Sequence, residues 1–181
     1  MGDIAIDCGA SNGHYLRLLA GSGATVYGFE PDPHGFGQLQ EMFSGVLNVH
    51  LIEKAVGCEP KQMKLHRHAK FSEDPDYYVH SSSVFTSSVN SVDVDSVTVQ
   101  QIDFPAFIRN LPSRVSLLKL DIEGAEVPIL ETLLETGLID RVDWVFAETH
   151  EAVVPELADR TEALKLRVAH EGRTNISLDW I

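Results

Sequence analysis

Short apolar runs of strand length, at residues 3–8, 24–30, 49–55, 115–121, 142–148 and 175–181, alternate with segments of helical spacing. This order restricts the fold more than any other feature. A strand–helix–strand unit closes by laying its strands parallel and its helix across one face of the sheet. The expected fold is therefore Rossmann-like α/β, with a mostly parallel sheet and helices on both faces. Helices are expected at 14–20, stopped by Gly21-Ser22-Gly23, and at 34–43, where Phe36, Leu39 and Phe43 share an apolar side after Pro31-Asp32-Pro33. Two more are expected at 104–110 and 126–135, the second closed by Gly137. Residues 151–170 place Leu157, Leu164 and Val168 on one helical face, although the alternation Leu164, Leu166, Val168 leaves a strand open.

The order breaks between about residues 57 and 99. Alternation at 62–68 and a Ser-rich stretch with Ser81-Ser82-Ser83 and Ser87-Ser88 read as a hairpin followed by a long loop. An insertion of that length in a compact domain is where a lid or substrate-selecting wall is expected, against the plainer reading of a loop without function. With 181 residues, 44% of them hydrophobic, the chain reads as one domain over 1–181. Lys and Arg total 14 against 27 Asp and Glu, and the net charge of -13 disfavours nucleic acid as a partner. Cys8 and Cys58, read as buried strand ends, have no spacing of a disulfide framework or a zinc site, which fits the cytoplasm. No apolar run is long enough to span a bilayer, and no signal-like region opens the sequence, so no membrane partner is expected.

The chemistry concentrates where strands end. The first strand runs into IDCGASNGHY, residues 6–15, whose Gly9 and Gly13 permit a sharp turn and a close ligand approach. The three-glycine dinucleotide fingerprint is absent, and Asp7 favours a cationic group over phosphate. S-adenosylmethionine carries a sulfonium and an ammonium; the plain alternative is a turn with no ligand. Glu30 closes the second strand, the place from which an acid accepts hydrogen bonds from ribose hydroxyls, unless it is only an exposed strand-end acid. Asp121, Glu123 and Glu126 cluster at the end of 115–121, where a shared cation, proton or metal would relieve their repulsion. For Glu126 the competing reading is a helix-dipole partner. Glu148 and His150, two apart, are expected to face the cleft together, with His150 as a base or as a hydrogen-bonded structural residue. His66 and His68 share that spacing, but an exposed hairpin face is preferred to a metal site.

Taken together, IDCGASNGHY, GFEPDP (28–33), EKAVG (53–57) and above all KLDIEGAE (119–126) resemble the FkbM family of methyltransferases, over about residues 4–150. The resemblance implies a class I methyltransferase domain with a seven-stranded sheet, S-adenosylmethionine as methyl donor, and O-methylation of a hydroxyl on a sugar or secondary metabolite. By matching position it implies Asp7, Gly9, Ala10, Asn12 and Gly13 around the donor's methionine part and Glu30 on its ribose, beside Pro31. It places Lys54 and Ala55 near adenine and Asp121 beside the transferred methyl. Members often carry an extension before the first strand; here that strand begins within a few residues of Met1.

The expected reaction is direct displacement, in which an oxygen of a small hydroxylated acceptor attacks the sulfonium methyl. Alignment supplies most of the acceleration. If a base acts, the candidates are His150, Glu148 and Asp121 in that order. A less favoured variant has Asp121, Glu123 and Glu148 hold a divalent metal. The rival functions are a non-catalytic adenosine-binding module and a nicotinamide-dependent oxidoreductase, the latter weakened by the missing glycine fingerprint.

Overall fold

The computed structural model describes residues 2–78, 91–152 and 154–180. Its central sheet has the order β3–β2–β1–β7–β8–β9, all parallel, from β1 (Ile4–Cys8), β2 (Thr25–Phe29), β3 (Val49–Ile52), β7 (Val115–Leu120), β8 (Val142–Ala147) and β9 (Ile176–Ser177). Alternating residues of one strand feed two cores. Ala5 and Val26 meet Leu16 of α1 (His14–Gly21) and Leu39 of α2 (Pro33–Met42) on one face. Ile4, Ile6 and Leu118 meet Ile108 of α4 (Phe104–Asn110), Leu130 and Leu133 of α5 (Glu126–Glu135) and Leu164 of α6 (Ala158–His170) on the other. Burial on both faces explains why these strands are continuously apolar. Helix starts are capped where the sequence allows, with Asp32 accepting from the His34 N–H and Asp103 from the Ala106 N–H, both at 2.8 Å.

Several expectations change. The run 49–55 is not one strand: the chain turns at Glu53-Lys54, and Ala55–Gly57 forms β4 in a second sheet of order β4–β6–β5. The insertion is more regular than a hairpin and a loop. β5 (Lys61–His68) pairs antiparallel with the 13-residue β6 (Ser91–Asp103), whose Val97 and Val99 carry the period-two signal. Between them lies α3 (Pro75–Tyr78), and the serines at 81–83 and 87–88 fall outside the described residues. His66 is buried rather than exposed, and His68 stacks on Tyr78. The segment 151–170 is helical only from Ala158, after a 3-10 turn at Pro155–Leu157. The strand alternative there fails because Leu164 and Val168 are buried with Thr161 while Leu166 is 63% exposed, a helical pattern. Cys8 is buried but Cys58 is exposed. Among the described residues the main sheet has six strands, not seven. Beyond β9, Asp179 makes only an antiparallel bridge to Glu148.

Candidate active site

The strand order reverses between β1 and β7, and the crevice beyond the carboxyl ends of such neighbours is where ligands enter open α/β sheets. Gly9 leaves β1 with φ +79, and a Cβ placed on it would lie 1.8 Å from the Asp121 carbonyl oxygen at the end of β7. Glycine is therefore required both by the left-handed backbone and by the contact between strand ends. Lys119, buried within β7, holds the same corner: its Nζ donates to the Gly9 carbonyl at 2.8 Å and lies 3.1 Å from Asp7 Oδ1 and 3.3 Å from Asp121 Oδ2. Burial alone would lower the Lys119 pKa, but Asp7 and Asp121 outweigh it and raise it, so the ammonium stays charged. Asp7 is thus paired with Lys119 inside the protein, although burial outweighs this cation and raises the Asp7 pKa. The expectation that Asp7 itself attracts a cationic ligand gives way to a supporting role.

Across the cleft, Glu30 is buried and pinned, Oε2 accepting from the Ser11 N–H at 2.9 Å and Oε1 from the Asp32 N–H at 2.8 Å. Each carboxylate oxygen has a second lone-pair site, so two acceptor positions remain for a ligand. Burial pushes the Glu30 carboxyl up to about 7, against the pull of the two N–H donors. The plain reading of an exposed strand-end acid is excluded. The cleft between Glu30 and Asp121 is open to solvent and encloses about 620 Å³ of non-atom space including its mouth. Pro31, Lys54, Ala55 and Val56 line one side with Leu65 of β5; Ile122 and Glu123 line the other. The insertion therefore contributes a wall, and Arg67 of β5 clamps it to the start of α2 through the capping residue Asp32 at 2.8 Å.

At the acidic end, Asp121, Glu123 and Glu148 surround one ring nitrogen. His150 Nε2 lies 3.7 Å from Asp121 Oδ1, 3.8 Å from Glu123 Oε2 and 3.9 Å from Glu148 Oε1. Its Nδ1 sits 3.1 Å from Glu126 Oε1, an ion-pair contact whose angle falls short of a good hydrogen bond. Burial alone would lower the His150 pKa, but the contact with Glu126 and the charges of Glu126, Glu123 and Asp121 raise it to about 9. An imidazole protonated at neutral pH cannot accept a proton, so His150 loses its place as first candidate base. Burial lifts Glu123 to about 7, and Glu148 is also raised, by burial and then by the Asp121 charge. Glu126 is more than a helix-dipole partner. It is fully buried and accepts from the Ile122 N–H at 2.6 Å and the Gly124 N–H at 2.9 Å, stapling the β7–α5 turn.

Of the residues expected at a donor site, Gly9, Glu30, Pro31, Lys54, Ala55 and Asp121 line the cleft. Ala10, Asn12 and Gly13 do not. Ala10 is buried, Asn12 accepts from the His14 N–H, and Gly13 makes room for Leu39 and Met42 where α1 meets α2. Two residues went unassigned from sequence: Ser11 lines the cleft with a positive φ of 45, and Lys119 organises the corner. Glu123, read from sequence as part of the acidic cluster, lines the cleft with a φ of 56. Lysine amid the apolar run of a buried strand was the one available signal, since such a charge requires partners.

Fold and cleft define a Rossmann-like α/β protein with a cleft across the ends of β1 and β7. Residues 7–166 match the family described as the methyltransferase FkbM domain, and the chain belongs to that family of methyltransferases. Comparison with solved structures found the crystal structure of methyltransferase FkbM from Methylobacillus flagellatus KT, at 18% identity and a TM-score of 0.46. The match covers 76% of this chain and 30% of that one. Comparison with curated proteins found no match. No helix among the described residues is long and apolar enough to cross a membrane.

Proposed function

We propose that this chain is an S-adenosylmethionine-dependent methyltransferase that methylates a hydroxyl oxygen of a small acceptor, a sugar or a secondary metabolite, in the cytoplasm. The observation that carries the reading is the pinned Glu30 carboxylate with two lone-pair sites left, set across an open cleft from the Gly9 turn. In this reading Glu30 accepts from both ribose hydroxyls, while Pro31, Lys54 and Ala55 flank adenine. Gly9, lacking a Cβ, leaves the floor of the cleft open beside Asp121. When bound, the donor supplies a methyl group on an already activated sulfonium, so the protein's task is largely alignment. Asp121 and Glu148 orient the acceptor hydroxyl, and its proton passes to the carboxylates of the acidic cluster rather than to the protonated His150.

The test has two arms. S-adenosylhomocysteine is titrated into the protein by calorimetry, and labelled donor is incubated with a panel of sugar and polyketide hydroxyls. Binding with transfer to oxygen supports the proposal, whereas binding without turnover on any acceptor favours a non-catalytic module. Tighter binding of NAD than of S-adenosylhomocysteine would overturn it.

A further inference from the structure

The geometry points to a divalent-cation site of the manganese or magnesium class, formed by Asp121, Glu148 and His150 at the carboxyl ends of β7 and β8. One oxygen or nitrogen from each of these three side chains lies within 4.8 Å of the others. The set differs from the carboxylate-only metal site considered from sequence, because an imidazole replaces Glu123. Three features distinguish it from an incidental acidic patch. First, His150 is only 8% exposed, and its Nε2 points among Asp121, Glu123 and Glu148 at 3.7–3.9 Å, beyond hydrogen-bond reach of each. Metal bonds of about 2.0–2.2 Å place neighbouring donors roughly 3–3.5 Å apart, so Nε2 and each of the two carboxylates need to close by roughly 0.2–0.9 Å. Second, Nδ1 rests on Glu126, whose oxygens are held by the Ile122 and Gly124 N–H groups. A carboxylate behind the distal ring nitrogen is the usual support of a metal-bound histidine, and an ion at Nε2 displaces the proton that this nitrogen carries in the free protein. Third, Lys119 engages Asp121 through Oδ2, leaving Oδ1 as the oxygen nearer the ring.

One imidazole with two carboxylates is a mixed nitrogen and oxygen set, suited to manganese and, among harder ions, magnesium. Its chemical role rests on the methyltransferase reading: the ion would orient the acceptor hydroxyl and lower its pKa. Glu123, outside the ligand set, is then positioned to receive the proton.

The test is a Mn²⁺ titration of the chelator-treated full chain by electron paramagnetic resonance, with S-adenosylhomocysteine binding measured on the same preparation. The expected result is one bound Mn²⁺ per chain, displaced by excess Mg²⁺, with imidazole nitrogen coupling in the spin-echo spectrum. Glu148→Gln should weaken Mn²⁺ by at least tenfold, and His150→Gln should also abolish the nitrogen coupling. Glu148 is more than a third exposed, so if His150→Gln fails to fold, Glu148→Gln decides alone. Failure to bind millimolar Mn²⁺ while S-adenosylhomocysteine binds normally would overturn the metal site and leave the donor reading standing. Mn²⁺ uptake that is unchanged in Glu148→Gln and lacks nitrogen coupling would mean adventitious binding to an acidic surface, and would overturn it equally.

Discussion

Lowering the pH from 8 to 6 should weaken S-adenosylhomocysteine binding about tenfold through Glu30 alone. Burial holds this carboxyl near 7 in the free protein, so it is mostly ionised at pH 8 and mostly protonated at pH 6. Two ribose hydroxyls donating to the ionised group rather than the neutral acid gain about 2–3 kcal/mol together, which lowers the pKa in the complex to roughly 5. Between those two values the ligand must displace a proton, and each pH unit changes affinity by up to a factor of about ten. Affinity therefore rises with pH through 7, flattens above 8 and flattens again below 5. Calorimetry in matched buffers gives the curve, and Glu30→Gln should be weak and flat from pH 6 to 8. Constant affinity across that range for the parent protein would show that the ribose does not meet Glu30 and would remove the main support for the donor pose.

Lys119→Met leaves the buried Asp7 without its cation, a loss of about 3–5 kcal/mol that should lower Tm by on the order of 10 °C; adding Asp7→Asn should recover part of it. Similar melting curves for Lys119→Met and the parent would refute the role of this ion pair. Gly9→Ala should destabilise the fold by at least about 2 kcal/mol, because its Cβ meets the Asp121 carbonyl as well as the cleft; a soluble variant with parental Tm would contradict the packing. Asp121→Asn should lower turnover at least about tenfold, equivalent to about 1.4 kcal/mol, with a small change in Tm. Unchanged turnover would move the chemistry to Glu123 and Glu148.

The central sheet was legible because its strands are buried on both faces and read as continuous apolar runs between helical segments. The second sheet was harder to see. β4 continues directly from the apolar run of β3 with only Glu53-Lys54 between them, and β6 pairs with β5 from more than twenty residues away, a distance over which alternation alone names no partner. At the site, Glu30 and Asp121 were accessible as acids at strand ends. What local sequence does not reveal is which charges cancel. Asp7 reads as a ligand group until Lys119 is found beside it, and His150 reads as a base until four carboxylates are counted around its ring. Glu126 likewise has the sequence position of a dipole partner, yet it is buried and tied to the turn through two N–H groups, which only the tertiary structure reveals.

The most direct measurement is a crystal structure of the chain with S-adenosylhomocysteine. Both ribose hydroxyl oxygens are expected within about 2.6–3.0 Å of the Glu30 carboxylate, with adenine beside Pro31 and Ala55 and the sulfur directed towards Asp121. Electron density for the ligand elsewhere, or in this cleft with its ribose turned away from Glu30, would contradict the account.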